Sequence, residues 1–317
     1  MKSIARILLA CLPCVVSAQS SPLPDRPITL IVGYSAGGSV DIAARKYAIK
    51  LQERLGQPVV VENRAGASGV VAAMAVKNAR PDGTTIYFAA SPTISITPAF
   101  TKTNFDPLQD FVPVASVVKY ANVLLVNQDS PFKTLAQMLA YGKQNPGKIT
   151  YGSPGAGSSQ HLSGALLAAR SGVDMVHVPY KGMAPAVLAL LSGQLSMTFD
   201  VNNTAINQIR AGSVRPLAVT SAARNRQLPH VPTMIESGFK DFTIEAWIGL
   251  LLPANTPAQI VHHLTEINQG IITDPGFIQD MQISGYEIDG ASEQDLAMRI
   301  RTDYRFYTDF ARTIELN

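Results

Sequence analysis

The residue types and spacing that could carry chemistry are concentrated in one run, Ile28-Thr29-Leu30-Ile31-Val32-Gly33-Tyr34-Ser35-Ala36-Gly37-Gly38-Ser39-Val40-Asp41. A β-branched segment enters a glycine-rich turn, and the turn opens an amphipathic helix. A helix begun by small residues exposes unpaired N–H groups and the positive end of its dipole, a setting for a carboxylate or a phosphate. The donors in that setting are the N–H groups of Ala36, Gly37 and Gly38, with Tyr34 as a side wall. Asp41 is placed to orient water or meet an amino group. The bland reading of the run is a helix cap, with Ser39 as N-cap and Asp41 favouring the dipole. The same letters also contain Gly33-Tyr34-Ser35-Ala36-Gly37, the G-x-S-x-G spacing of a hydrolase nucleophile elbow built on Ser35.

A second loop repeats the first one's chemistry. Gly152-Ser153-Pro154-Gly155-Ala156-Gly157-Ser158-Ser159 joins a strand to a helix and offers Ser153, Gly157 and Ser158 as neutral donors. Neither loop contains arginine or lysine, so an anion held between them would be bound by hydrogen bonds alone. Further strand-end candidates are Ser91, Tyr180 and, within the run Asp200-Val201-Asn202-Asn203, Asp200 and Asn202. For the asparagines the competing reading is an Asx turn. His262 and His263 are adjacent and point to different faces of a helix. His161, His177 and His230 fall in separate loops or strands without a metal-binding pattern. No metal, cofactor or catalytic residue is therefore expected.

The elements that must position these loops follow from periodicity. Strands are predicted over 28–32, 58–61 and 84–90, with helices through Val40 to Leu55, ended by Gly56, and through Val71 to Val76. This rhythm indicates a parallel sheet with right-handed crossovers. Residues 112–126 hold two extended apolar stretches around Lys119-Tyr120-Ala121-Asn122, which suggests a strand leaving one domain and entering another. A second α/β unit follows: helix 134–143, strand 149–151, a helix carrying Leu162 and Leu166, strand 175–178, helix 185–191, strand 197–200 and a last strand at 217–220. Residues 242–252 make the return crossing, where Trp247 packs the hinge, and C-terminal helices follow Pro253-Ala254-Asn255-Thr256-Pro257. The predicted fold class is α/β: a two-lobed periplasmic-binding-protein fold of type II-like form, with two parallel-type sheets flanked by helices and joined by a two-strand hinge. Lobe 1 takes 25–121 plus 245–317 and lobe 2 takes 122–244, with the site between the carboxyl ends of both sheets.

Bulk properties narrow the class. Of 317 residues, 46% are hydrophobic and 15% charged, which argues against long disordered tails. Residues 1–18 read as a secretory signal: Lys2 and Arg6, an apolar run too short to span a bilayer, and Val16-Ser17-Ala18 before the cut. Both cysteines, Cys11 and Cys14, lie inside it, so the mature chain has no disulfide, thiolate metal site or cysteine nucleophile. The chain's formal charge is +3, and no clustered basic face points to nucleic acid.

Across the mature chain the sequence resembles the Bug family, the periplasmic receptors of tripartite tricarboxylate transporters. The landmarks are Ala36-Gly37-Gly38-Ser39-Val40-Asp41, Gly56-Gln57-Pro58-Val59-Val60-Val61-Glu62-Asn63-Arg64, Pro81-Asp82-Gly83-Thr84, Gly157-Ser158-Ser159-Gln160-His161-Leu162 and Val176-His177-Val178-Pro179-Tyr180-Lys181-Gly182. Leu228-Pro229-His230-Val231-Pro232-Thr233 and Glu236-Ser237-Gly238 continue the order. The resemblance implies a monomeric periplasmic receptor for a small organic carboxylate, serving inner-membrane tripartite tricarboxylate transporter subunits. The chain departs from the family at Gly33 and Tyr34, where proline and phenylalanine are usual, and at Pro154, where serine is usual. The first change is expected to loosen the turn and add a hydroxyl at the pocket mouth. The alternative, a secreted serine hydrolase using Ser35, lacks a preceding strand-loop to complete an oxyanion hole.

Overall fold

The computed structural model describes residues 22–155 and 157–312; the signal-peptide reading of 1–18 lies outside them. The first half of the fold begins with strand β1 (Ile28–Val32), helix α1 (Ser39–Leu55), β2 (Val59–Asn63), α2 (Val70–Lys77) and β3 (Thr85–Ala90). The three strands are parallel in the order β2-β1-β3. A π-helical turn, Pro92–Ile96, and the short α3 (Thr97–Phe100) lead to β4 (Phe111–Asn127), a single strand of 17 residues.

The remainder is α4 (Leu135–Gln144), β5 (Ile149–Ser153), α5 (Ser159–Ser171), β6 (Met175–Pro179), α6 (Met183–Leu191), β7 (Met197–Val201), α7 (Asn202–Arg210) and β8 (Val214–Val219). Then come β9 (Glu245–Pro253), α8 (Ala258–Ile272), α9 (Pro275–Ile283), β10 (Glu287–Ile288) and α10 (Glu293–Ala311). β4 joins two sheet halves. Its residues 111–121 pair antiparallel with β9, and its residues 122–127 pair antiparallel with β7 and β8. The crossing predicted over 112–126 is thus one uninterrupted strand. Each half is mixed rather than wholly parallel, because β4, β8 and β9 run against their neighbours.

Both faces of each half are covered, which explains the near-continuous apolar runs in the strands. In lobe 1, Leu30, Val32, Ile86, Phe88, Ile248 and Leu250 face α1 and α8, while Ile31, Tyr87, Ala89 and Leu251 pack with α2 and α10. In lobe 2, Leu124, Tyr151 and Phe199 pack with α5, and Val123, Leu125 and Leu195 with α6 and α7. Trp247 is buried in the lobe 1 core, and its indole N–H donates to Asp303 at 3.0 Å.

Candidate functional site

Strand directions decide where the loops lie. β3 is antiparallel to β9, which is antiparallel to β4, so β1 and β3 run the same way as β4, toward lobe 2. β7 runs against β4, and β5 and β6 are parallel to β7, so these three run toward lobe 1. The carboxyl ends of the two strand sets therefore face each other across the crossing. β3 ends at Ala90, opposite Ile248 and through it Val118; β7 ends at Val201, opposite Asn122. Those two positions on β4 are four residues, or about 13 Å, apart. A gap of that size suits a small molecule. All twelve candidate binding residues follow or end strands of these two sets.

The first loop is held by Asp41, which is buried. Its carboxylate accepts from the Gly37 N–H at 2.8 Å, from Arg45 Nε at 2.9 Å and from Asn63 Nδ2 at 2.9 Å. Burial pushes the Asp41 carboxyl up, but the Arg45, Gly37 and Asn63 donors outweigh it and hold it below its usual value. Asp41 is thus spent on positioning the loop rather than free for a ligand's amino group. The expected donor set shifts as well. Gly37 N–H is taken by Asp41 and Gly38 N–H donates to the Ser35 carbonyl at 3.1 Å, whereas Ala36 is exposed and its N–H has no partner among the described residues. The N-cap of α1 is Gly38, not Ser39, and it supplies no side-chain cap. Helix α1 therefore keeps uncapped first-turn N–H groups, one turn further along than the sequence suggested.

The Gly33-Tyr34 departure does not loosen the turn. A Cβ on Gly33 would sit 2.9 Å from Gly69 Cα and 3.2 Å from the Tyr87 hydroxyl, so the two backbones are in close contact here. Gly69 itself has φ +91°, and a Cβ there would meet Thr93 Oγ1 at 2.3 Å. The Tyr34 hydroxyl pairs with Thr93 Oγ1 at 3.0 Å, and Thr93 donates to the Ser68 carbonyl. Tyr34 is half-buried and anchored at its tip. Ser91 Oγ accepts from the Trp247 backbone N–H at 3.2 Å.

In the second loop Ser158 is the N-cap of α5, accepting from the His161 N–H at 3.2 Å. Ser153 is fully buried, pairs with His177 Nε2 at 2.7 Å and accepts from the Gly155 N–H. Gly157 N–H donates to His161 Nδ1 at 3.3 Å. His161 and His177, separate in sequence, stack with ring centroids 4.0 Å apart against Tyr151. Burial, with a smaller contribution from His177, pushes His161 down to about 4, and burial lowers His177. Ser153 and the histidine pair are thus an internal brace for the loop. No histidine is hydrogen-bonded to Ser35 among the described residues, so the elbow reading gains no base.

At the other strand ends, the Tyr180 N–H donates to the Ser153 carbonyl at 2.9 Å, tying the end of β6 to the end of β5. Asp200 is buried, accepts from the Val201 N–H at 2.8 Å, and is pushed up to about 7 by burial against the Thr204 and Val201 hydrogen bonds. Asn202 and Asn203 do not make an Asx turn; they open α7 directly. Asn202 is buried with its Oδ1 unpaired. A cavity of about 290 Å3 is lined by Gly37, Gly38 and Ser39 from lobe 1 and by Asn203, Thr204 and Asn207 from lobe 2. Sequence reasoning missed the α7 start and the histidine pair. Among the described residues no group of three or more His, Cys, Asp or Glu is arranged to hold a metal, and no helix is long and apolar enough to cross a membrane.

The family model described as "Tripartite tricarboxylate transporter family receptor" matches residues 43–307. The sequence is 38% identical over 297 residues to a UPF0065 protein in the tcbD-tcbE intergenic region of Pseudomonas sp. (strain P51), covering 93% of this chain and 88% of that one. The solved periplasmic binding protein BugD is 33% identical, with a TM-score of 0.81 over 92% of this chain and 98% of its own. The R. palustris protein Rpa4515 with adipate is 32% identical, with a TM-score of 0.84 over 92% and 97%. The matched family is one of receptors, and BugD is itself a periplasmic binding protein.

Proposed function

The chain belongs to the family of tripartite tricarboxylate transporter receptors, and on that premise we propose that it is a periplasmic solute receptor that closes two lobes on a small organic carboxylate. It delivers this cargo to inner-membrane subunits of a tripartite tricarboxylate transporter. The observation that carries the reading is the opposition of the strand carboxyl ends across β4, with neutral donors on both sides. The solved relative holding adipate supports the ligand class. In this reading the chain is exported through residues 1–18, works as a monomer, and divides into 25–121 plus 245–317 and 122–244.

Chemistry favours neutral donors for such cargo. A carboxylate held by backbone N–H groups, hydroxyls and amides leaves without breaking a buried ion pair, whose two charges would each carry a desolvation cost. The contacts we assign are the Ala36 N–H and the uncapped first turn of α1, the Tyr34 ring, Ser91, and the Gly157-Ser158 turn, with Gly37 and Gly38 giving the turn its shape. Tyr180, Asp200 and Asn202 complete the lobe 2 wall, while Asp41 and Ser153 hold their loops in shape.

The test is a thermal-shift panel on ligand-stripped protein with succinate, glutarate, adipate, citrate, glutamate and benzoate. Binding to the folded state alone adds about 2.7 kcal/mol at a hundredfold excess over Kd, so at least one acid should raise Tm by several degrees. No shift with any of the six would overturn the reading.

A further inference from the structure

Among the described residues, two side chains of lobe 2 reach lobe 1 by hydrogen bonds away from the β4 crossing. Gln227 Nε2 donates to the Gln282 carbonyl at the end of α9. Asn203, at the start of α7, makes the more specific contact. Its Nδ2 donates to Ser39 Oγ at 3.1 Å and to the Tyr286 hydroxyl oxygen at 2.9 Å. Ser39 Oγ and the Tyr286 hydroxyl are 2.7 Å apart, and the Tyr286 O–H donates to the Ser39 carbonyl at 2.6 Å. Asn203 Nδ2 thus faces both oxygens, the phenol donates once, and the serine hydroxyl donates to the phenol oxygen, while Asn203 Oδ1 is buried without a partner among the described residues.

The backbone has been shaped for this approach. Gly285 has φ +80°, and a Cβ there would lie 2.6 Å from Asn203 Cα. Only glycine lets the turn between α9 and β10 sit against the first residues of α7. Tyr286 is 1% exposed and stacks edge-on against Tyr120 of β4, with centroids 6.1 Å apart, so the phenol is fixed before Asn203 reaches it.

We propose that Asn203 is the positioning residue of ligand capture: its amide clasps Ser39 and Tyr286 across the mouth of the cleft and holds the two lobes closed. The clasp rests on the receptor reading above, and it acts on closure without touching the ligand. Ser39 is the first helical residue after the glycine turn, so the clasp also fixes the uncapped end of α1 toward lobe 2. Its contribution belongs to the closed state and falls on ligand release, because contacts formed only after closure appear in koff.

Three variants test it: Asn203→Ala, Tyr286→Phe and the double variant. The binding probe is the acid among succinate, glutarate, adipate, citrate, glutamate and benzoate that raises Tm most. Asn203→Ala should raise koff about tenfold, the loss of about 1.4 kcal/mol of paired hydrogen bonding, with kon changed less than twofold. Tyr286→Phe should raise koff similarly, and the double variant should add little, since both remove one clasp. Small-angle scattering of the ligand-free proteins gives an independent readout: each variant should have a larger radius of gyration than the wild type. Unchanged koff together with an unchanged radius would overturn the clasp, as would fully additive effects in the double variant. A wild type that bound none of the six acids would sink the receptor reading, while the scattering comparison would still decide the clasp.

Discussion

Replacing Asp200 with asparagine should make the protein less sensitive to alkaline pH. Asp200 is the last residue but one of β7 and is 2% exposed; it accepts one N–H at 2.8 Å from Val201, and no cation pairs with it among the described residues. Burial therefore raises its carboxyl from 3.8 to about 7, against the opposing hydrogen bonds from Thr204 and Val201. A carboxyl raised on folding holds its proton more tightly in the folded state. The stability it confers is complete below the unfolded value near 3.8 and is lost as pH climbs through about 7. At about 1.36 kcal/mol per pH unit, the full interval amounts to about 4 kcal/mol, of which about 3 kcal/mol falls between pH 5 and pH 8. The Asp200→Asn side chain would keep the size and polarity of the neutral acid and remove the titration.

The assay is urea unfolding followed by circular dichroism at pH 5, 6, 7 and 8, on wild type and Asp200→Asn. Groups common to both proteins cancel in the difference of their pH profiles. The variant should match or trail the wild type at pH 5 and gain on it by about 3 kcal/mol by pH 8. Parallel profiles across the four pH values would show that Asp200 ionises in the folded state as readily as in the unfolded one, and would refute the reasoning.

Asp41→Asn should behave in the opposite sense with pH. It removes a charge-assisted acceptor for Arg45 and Gly37 and should cost about 2 kcal/mol at pH 7. Because the Asp41 carboxyl lies below its usual value when folded, that contribution is present above 3.8 and lost as pH falls further; urea midpoints at pH 7 and pH 3 should converge only at the lower pH. Gly69→Ala should cost about 3 kcal/mol from the Cβ placed 2.3 Å from Thr93 Oγ1 and from the strained φ of +91°. Its signature is a lower urea midpoint with an unchanged m-value, and a midpoint equal to the wild type would rule out the close approach.

Much of the scaffold was legible because its signals are local. Gly56 ends α1 in the left-handed region, as its position in the sequence suggests, whereas Thr134, read as the first residue of a helix, and Ser158, read as a ligand donor, are the N-caps of α4 and α5. The strands read as apolar runs because both faces are covered, and the β4 crossing showed as two such runs meeting at Lys119-Tyr120-Ala121-Asn122. Local pattern failed where an element began without a loop. Asn202-Asn203-Thr204 has turn composition, yet it follows β7 directly as α7, because the burial of Ala205 and Ile206 against lobe 2 outweighs the turn preference.

What could not be read from the sequence was which hydrogen-bonding groups the fold uses on itself. The glycine turn after β1 has the composition of an anion site, but two of its three N–H groups are consumed by Asp41 and the Ser35 carbonyl. Ser153 looks like a ligand hydroxyl and pairs instead with His177, 24 residues away. Both cases follow from one physical demand. A loop that presents neutral donors to a ligand has no side-chain charge to hold it, so its shape must come from internal bonds that use up part of the same donor supply. The residues able to meet that demand are Asp41, which closes the first motif, and His177, which lies outside the second loop that it supports. The donors left unspent, Ala36 and the first turn of α1 among them, are therefore the groups of this turn still free to meet an anion, and the glycine pattern alone does not single them out.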